Sequence, residues 1–432
     1  MDIFGGAMCA VVPTKASPPL PFDVVVQKFG GTSVGDLDRI HKVAARIART
    51  VESGIKVAVT VSAMGSTTDR LISMAREAAP RPSRRELDVL LATGEQQSMA
   101  LLTMALQAAG VAARSFTGDQ AGFLTDGQFG SARILEVDPA ALIACFADHE
   151  VAVIAGFQGR DESHAITTLG RGGSDTTAVA VAAALGAREC EIYTDTEGVY
   201  TTDPHLVPGA RKLERIDYDE MLELAALGAR VLHPRSVWYA RRYGVHVHVR
   251  SSFSFNPGTI VCRVGHEEAS MRTDRPVTGA ALDLGHARIN VRGVRDEPGT
   301  AARLFSALGR AGVSVDMIIQ GVPGAGDSRQ QMAFTVPSDL VQDALEAVAP
   351  VLGEIGGEAS ADTDIAKVSI VGIAIGSTPG IAGRMFDAVA AAGANIEMIA
   401  TSEVRISVVI PAGRAKEALA AVHAAFGLEQ PA

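Results

Sequence analysis

From Asp23 onward the chain alternates between short β-branched apolar runs and longer alanine-rich stretches whose apolar residues recur at three- and four-residue spacing. The first pattern predicts strands, the second helices with one apolar face or none exposed. Strands are expected over residues 23–28, 56–61, 151–155 and 189–194, and helices over 37–53, 84–109 and 174–185. Strands joined by helical crossovers build a mainly parallel sheet, so this part is predicted to be an α/β domain of three layers, α/β/α. A further strand over 245–251 and the turn Asn256-Pro257-Gly258 place its end soon afterwards.

Beyond about residue 271 the pattern changes, and an internal repeat takes over. PGTAARLFSALGRAGVSVDMIIQ, starting at Pro298, returns as PGIAGRMFDAVAAAGANIEMIAT, starting at Pro379. Each copy follows an apolar strand and precedes a second strand that ends in proline, Pro337 or Pro411, with a helix after it. Two copies of one ferredoxin-like α+β module are therefore expected. The division that results is a flexible tail over 1–22, the α/β domain over 23–262, a linker and joining strand over 263–285, and the two modules over 286–350 and 351–432.

Composition narrows the possibilities. The chain has 432 residues, 47% hydrophobic and 20% charged, so a large buried core is affordable and disorder is excluded as the dominant state. Lys and Arg number 39 against 49 Asp and Glu, a net charge of −10, which argues against a nucleic-acid or membrane-surface protein and requires any anionic ligand to be met by a local site. Cys9, Cys145, Cys190 and Cys262 lie far apart with no CxxC pair, which fits a reducing cytoplasm rather than a disulfide framework or a zinc site. No apolar run approaches the roughly 20 residues of a bilayer span. The first residues lack the basic start of a secretory signal.

Three segments carry candidate chemistry. In Lys28-Phe29-Gly30-Gly31-Thr32-Ser33 a lysine at a strand end precedes a glycine pair and two hydroxyls, a combination that lets backbone amides approach a polyphosphate while the ammonium neutralises it. A plain strand-to-helix turn would contain the same glycines, and the lysine stands on the wrong side of them for a Walker A loop. In Leu169-Gly170-Arg171-Gly172-Gly173-Ser174-Asp175 a helix cap accounts for Ser174 or Asp175, but three glycines and an arginine exceed what capping requires. In Tyr193-Thr194-Asp195-Thr196-Glu197-Gly198-Val199-Tyr200-Thr201-Thr202-Asp203-Pro204 an aspartate sits at the carboxyl end of a strand, where open α/β sheets bind ligands. Val61-Ser62-Ala63-Met64-Gly65 and Thr93-Gly94-Glu95 are weaker, and either alone could be structural.

Together KFGGTSV, VSAMG, GFQG, TTLGRGGSDTTA, YTDTEGVYTTDP and GARVLHPRS resemble, in order and spacing, the aspartate kinase family, whose amino-acid kinase fold is followed by tandem ACT domains. The resemblance runs from Val24 to Phe426, and the paired ACT-like repeat separates it from acetylglutamate, glutamate-5, carbamate and uridylate kinases. It implies an ATP-dependent kinase that phosphorylates the side-chain carboxylate of L-aspartate, with Mg2+ carried by the nucleotide and no dedicated protein metal site. It implies that Lys28 stabilises the transferring phosphoryl group and that Asp195 orients Lys28 or meets the Mg-ATP. Gly30, Gly31, Ser33, Thr194, Tyr200, Asp203 and Lys212 would contact the nucleotide. Glu95 and Arg171 would hold the α-amino and α-carboxylate groups of aspartate, with Ser62, Gly173, Ser174 and Asp175 placing it. In the ACT copies Asp296, Gly299, Ala301, Gln320, Asn395 and Ile396 match effector positions for lysine or threonine. In the first copy Ser314, Gly321, Pro323 and Gln331 depart from the family pattern and predict weaker inhibition by that pair, or a different effector. A homodimer or tetramer is expected, with or without a short ACT-only subunit. The alternatives from other classes are an inactive homologue serving as an amino-acid-binding regulatory subunit, and a kinase for a different amino-acid carboxylate.

Overall fold

The computed structural model describes residues 20–228, 231–264, 275–321, 329–373 and 375–430. Most of the expected tail and part of the expected linker, with Pro323, lie outside the described residues. The chain divides into two compact units. The first holds residues up to Val199, Lys212–Ala226 and Arg230–Val264; the second holds Tyr200–Arg211, Leu227–Ala229 and Gly265–Ala432.

Unit 1 runs β1 (Val24–Phe29), α1 (Leu37–Glu52), β2 (Lys56–Val61), α2 (Thr67–Ala78), α3 (Arg84–Ala108), β3 (Ala113–Phe116), β4 (Phe123–Thr125), β5 (Ile134–Val137), α4 (Ala140–Asp148) and β6 (Val151–Ala155). It continues through β7 (Gln158–Arg160), β8 (Ile166–Thr168), α5 (Gly173–Leu185), β9 (Cys190–Thr194), β10 (Arg215–Ile216), α6 (Tyr218–Ala226), α7 (Pro234–Tyr243), β11 (Val247–Ser251) and β12 (Thr259–Val261). The main sheet has the order β10-β12-β11-β9-β1-β2-β6-β3 and is parallel except where β12 turns back on β11. The apolar runs of β1, β2 and β6 are buried on both faces, as central parallel strands must be. On one side α1 buries Ile40, Val43, Ala44 and Ile47, and its start is capped by Asp36, whose carboxylate accepts from the Arg39 amide at 2.8 Å. Helix α5 is buried nearly all round, which explains why its sequence, apart from Asp175 and the terminal Leu185, is Gly, Ser, Thr, Ala and Val: small side chains let a helix lie close to a sheet. A second, small sheet has the order β5-β4-β7-β8.

Unit 2 contains β13 (Gly279–Asp283), β14 (His286–Arg295), α8 (Thr300–Arg310), β15 (Ile318–Gln320), β16 (Arg329–Pro337), α9 (Val341–Ile355), β17 (Glu358–Asp362), β18 (Ile365–Val371), α10 (Ile381–Ala391), β19 (Met398–Thr401), β20 (Arg405–Pro411) and α11 (Ala415–Ala425). Its two sheets have the orders β15-β16-β14-β17 and β13-β18-β20-β19. The repeat is therefore real, but its copies close differently. The first module takes its fourth strand, β17, from after its last helix. The second takes β13, from before the first module begins. The boundary expected at residue 350 falls inside α9, and β17 pairs with β14, so the first module extends to Asp362. The strand read as part of a joining segment is instead a full member of the second module's sheet, paired with β18 from Gly279 to Asp283. The physical reason is common to both: the open side of the first strand must be paired, and any strand the chain can deliver there satisfies it. Buried Lys367 on β18 reaches Asp316 at 2.7 Å and Asp283 at 3.3 Å, joining residues of both modules. Among the described residues no helix is long and apolar enough to cross a membrane.

Candidate active site

The carboxyl ends of β9, β1, β2 and β6 lie side by side in the main sheet, and most of the predicted site residues of unit 1 stand on or just beyond them. Lys28, the penultimate residue of β1, has its ammonium 2.6 Å from the Asp175 carboxylate in the first turn of α5. Both side chains are only about one-eighth exposed, at 12% and 13%. The carboxylate paired with Lys28 is thus Asp175; of the two roles expected for Asp195, orienting Lys28 or meeting the Mg-ATP, the first falls to Asp175. Asp195 is exposed, and its Oδ1 accepts from the Thr194 hydroxyl at 3.0 Å.

Glycine 30 follows with its α-carbon close to the lysine head: an added Cβ would stand 3.5 Å from Nζ. A Cβ on Gly31 would come within 2.8 Å of the Ala63 carbonyl oxygen, and Gly31 accepts from the Gly65 amide at 3.0 Å. The loop after β1 is therefore stacked on the loop after β2 at a distance that only glycine permits. Ser33 is buried, its hydroxyl 2.5 Å from that of Ser252, which itself donates its amide to Thr194 at 2.8 Å. Ser33 thus ties the loop after β1 to the segment after β11.

Glu95 reaches the same end of the sheet from the middle of α3, which can approach because a Cβ on Gly94 would already sit 2.9 Å from that of Ala63. One carboxylate oxygen accepts from the Ala63 amide at 3.1 Å; the other, Oε2, is buried with no partner among the described residues. Burial raises the pKa of Glu95 to about 7, a shift that the amide hydrogen bonds oppose. Among the described residues no cationic side chain pairs with this acid, and an ammonium brought to Oε2 would supply one.

The glycine-rich segment is held from both sides. Gly172 adopts φ 69°, and a Cβ there would collide with the His233 ring at 2.1 Å. Gly156, after β6, admits Ser174, whose side chain would meet a Cβ at 2.9 Å. Phe157 takes φ 70°, a strained value for a phenylalanine, and is stapled by its amide to the Thr177 hydroxyl at 3.1 Å and by its carbonyl to the Leu169 amide at 2.8 Å. Arg171 is exposed at the mouth of this turn. Half-buried Ser62 donates its amide to Phe29 at 3.1 Å. Lys212 donates to the Pro257 carbonyl.

Several contributors escaped the sequence reading. His233 packs under Gly172, with its pKa lowered mainly by burial; Asp175 opposes that shift, and Arg235 and Arg171 add to it. Arg235 donates to the carbonyls of Leu169 and Ala132, holding down the strand that leads into the glycine-rich turn. The signal lies in GARVLHPRS, whose His233-Pro234 pair starts α7. Tyr200 and Asp203 belong to unit 2, where Asp203 serves its own turn by accepting from the His205 amide at 2.8 Å. Of the effector positions, Gly299 has φ 96° at the start of α8, Asp296 and Asn395 are exposed, and the Gln320 amide donates to buried Gln330. Ala301 and Ile396 are half-buried against the cores of their modules.

The Amino acid kinase family pattern matches residues 23–251, and the ACT domain pattern matches 289–351 and 368–426. The curated Aspartokinase of Thermus thermophilus is 64% identical over 407 residues, 94% of this chain and 99% of its own length. The chain belongs to the aspartokinase family. It is accordingly an ATP-dependent kinase acting on a carboxyl group. Among solved structures, E. coli aspartokinase III in complex with aspartate and ADP, the R-state, is 25% identical with a TM-score of 0.76, covering 93% of this chain and 99% of that one. The same E. coli enzyme in complex with lysine and aspartate, the T-state, is 26% identical with a TM-score of 0.71 over 93% and 99%.

Proposed function

We propose that this chain moves the γ-phosphoryl group of ATP to the side-chain carboxylate of L-aspartate, yielding ADP and 4-phospho-L-aspartate, the first step toward lysine, threonine and methionine. A carboxylate oxygen forms the new bond to phosphorus while the bond to the β–γ bridging oxygen breaks, and that electron pair leaves with ADP. The acceptor is already ionised at neutral pH, so no general base is required, and the site works by positioning and charge neutralisation. Lys28, oriented by Asp175, faces the phosphoryl group in flight. Backbone around Gly30 and Gly31 approaches the phosphates, with Ser33 bracing that loop. Thr194, Tyr200, Asp203 and Lys212 serve the nucleotide. Ser62, Gly173 and Ser174 place aspartate, and Arg171 binds its α-carboxylate. Mg2+, when bound, neutralises the phosphates. Asp195 suits its hydration shell, being an exposed oxygen donor with only one oxygen engaged by Thr194.

One observation supports an amino-acid substrate above all: Glu95 Oε2, buried and without a partner among the described residues, matches an α-ammonium. The test is a coupled assay of ADP release. L-Aspartate should drive turnover, and N-acetyl-L-aspartate, which lacks the ammonium, should not; no aspartate-dependent ADP would overturn the proposal and favour a purely regulatory homologue.

Lysine or threonine is the proposed effector at the ACT loops, and association through the ACT modules completes the proposal. Edge strands β15 and β19 present Ile318 and Ile399, 52% and 42% exposed, at equivalent places in the repeat. Light scattering should give a dimer or larger.

A further inference from the structure

Asp88 stands on α3 seven residues before Glu95, two turns back on the same face and about 10.5 Å away along the helix axis. It is 0% exposed. Its Oδ2 accepts from the Thr168 amide at 2.8 Å and the Gly130 amide at 2.9 Å, and its Oδ1 accepts from the Thr168 hydroxyl at 2.8 Å. These donors are neutral and come from two segments far from α3 in the chain. A carboxylate is costly to bury unless such donors surround it, and here they tie two pieces of backbone to one helix. Thr168 ends β8, and Leu169, Gly170 and Arg171 follow. The Thr168 carbonyl accepts from the Ala132 amide at 2.9 Å, and Gly130 lies against Gly170, where an added Cβ would stand 3.0 Å from the Gly130 carbonyl oxygen. Asp88 thus fixes the entry to the glycine-rich turn twice, directly through Thr168 and through Gly130 packed on Gly170.

We propose that Asp88 is a positioning residue for aspartate: it holds the turn that carries Arg171 at a set separation from Glu95, so that one helix governs both halves of the clasp on the α-ammonium and the α-carboxylate. This rests on the roles proposed for Glu95 and Arg171. All of these residues belong to unit 1. The two substrate groups are bonded to the same carbon, so the distance between them is invariant. A clasp with one half on α3 and the other beyond β8 matches that distance only while the two elements keep their spacing, and the bonds at Asp88 are the tie between them. Asp88 itself is sealed from solvent and acts through Thr168 and Gly130.

The experiment uses the full chain and reads KM for aspartate, KM for ATP and the melting temperature of each variant. Asp88→Ala should raise KM for aspartate about tenfold while KM for ATP stays within about twofold. Asp88→Asn, whose oxygen can accept from both amides while its NH2 group donates to the Thr168 hydroxyl, should bring KM for aspartate back to within about twofold of the parent. Thr168→Val, equal in shape without the hydroxyl, removes one bond and should raise KM for aspartate about threefold; it decides the matter where Asp88→Ala does not fold. A residue that only stabilises the fold would lower the melting temperature and leave both KM values unchanged. That result overturns the proposal, as do equal rises for both substrates, an Asp88→Asn as impaired as Asp88→Ala, or, where Asp88→Ala does not fold, an unaltered KM for aspartate in Thr168→Val. Arg171→Ala separates the two levels. If it raises KM for aspartate while the Asp88 and Thr168 variants do not, this link alone fails; if it leaves KM for aspartate intact, the substrate role of the turn fails and the link with it.

Discussion

Unit 1 and unit 2 both start functional helices from a glycine in the left-handed region, yet the two kinds of start are built differently. Gly172, before α5, has φ 69° and the His233 ring pressed against it, so that a Cβ would sit 2.1 Å from the ring. Gly299 and Gly380, before α8 and α10, have φ 96° and 88° with nothing within 4 Å of an added Cβ. The charged groups follow the same division. Lys28, Asp175 and Glu95 are largely buried and held by named partners, whereas Asp296 and Asn395 of the ACT loops stand in solvent. Phosphoryl transfer requires atoms fixed before the reaction begins, so the kinase site is over-determined by packing. The starts of α8 and α10 lack that crowding at their glycines, and the first of these loops is tied by the Thr300 hydroxyl, which donates to the Arg295 carbonyl at 3.0 Å.

The largest effect expected from breaking this contrast is at Lys28. Lys28→Ala should lower kcat by 10²- to 10³-fold, about 2.7 to 4 kcal/mol, the usual loss for a transition-state donor. Because it also strands the Asp175 carboxylate, thermal stability should fall too. Adding Asp175→Asn should recover the melting temperature without recovering turnover, and near-normal kcat in Lys28→Ala would remove the lysine from the mechanism.

Glu95 comes next, through its pH dependence. In the folded chain its pKa is about 7, against 4.5 for the ordinary group, so the folded state keeps a proton that the unfolded state loses. Stability of the substrate-free enzyme therefore falls as pH rises through that window, by about 3 kcal/mol, and the penalty is complete above it. Glu95→Gln should abolish this slope and be the more stable protein at pH 8 by chemical denaturation, while its KM for aspartate rises. A stability profile between pH 5 and 8 identical to the parent's would show that Glu95 is ionised throughout.

The glycines then test the contrast directly. Gly172→Ala should cost at least ~2 kcal/mol, from left-handed strain together with the collision at His233, and Gly380→Ala only about 1 kcal/mol. Equal losses in denaturant melts would erase the distinction. Smaller still, Arg171→Ala should raise KM for aspartate about tenfold with little change for ATP, since the group that loses its partner is the substrate carboxylate. Equal shifts in both would make Arg171 a loop-structuring residue.

The smallest effect is expected in the ACT loops. Coupling between sites is typically about 1 to 3 kcal/mol, and the loss of two hydrogen bonds at about 1 kcal/mol each can cancel it. If Ser314, Gly321, Pro323 and Gln331 shorten or remove contacts to an effector, joint inhibition by lysine and threonine should be weak or the effector different; potent inhibition at micromolar concentrations would show that those side chains do not matter.

Much of this was legible locally. The strand and helix periods, the glycine pair after Lys28, and the repeat with its matching Pro-Gly turns are encoded in contiguous residues, where backbone preference and burial periodicity act over a few positions. The sequence alone therefore determined the two kinds of fold, their order along the chain and which strand ends carry the chemistry. Only the tertiary structure decided that Asp175 and not Asp195 meets Lys28, because the two carboxylates lie 147 and 167 residues beyond the lysine and only the sheet order brings α5 against β1. It decided likewise that β13 closes the second ACT sheet and β17 the first, and that Tyr200–Arg211 is held by the second ACT module. Pairing an open strand edge or filling a core from a distant segment depends on which partner the folded chain delivers to that place, and no local pattern records it.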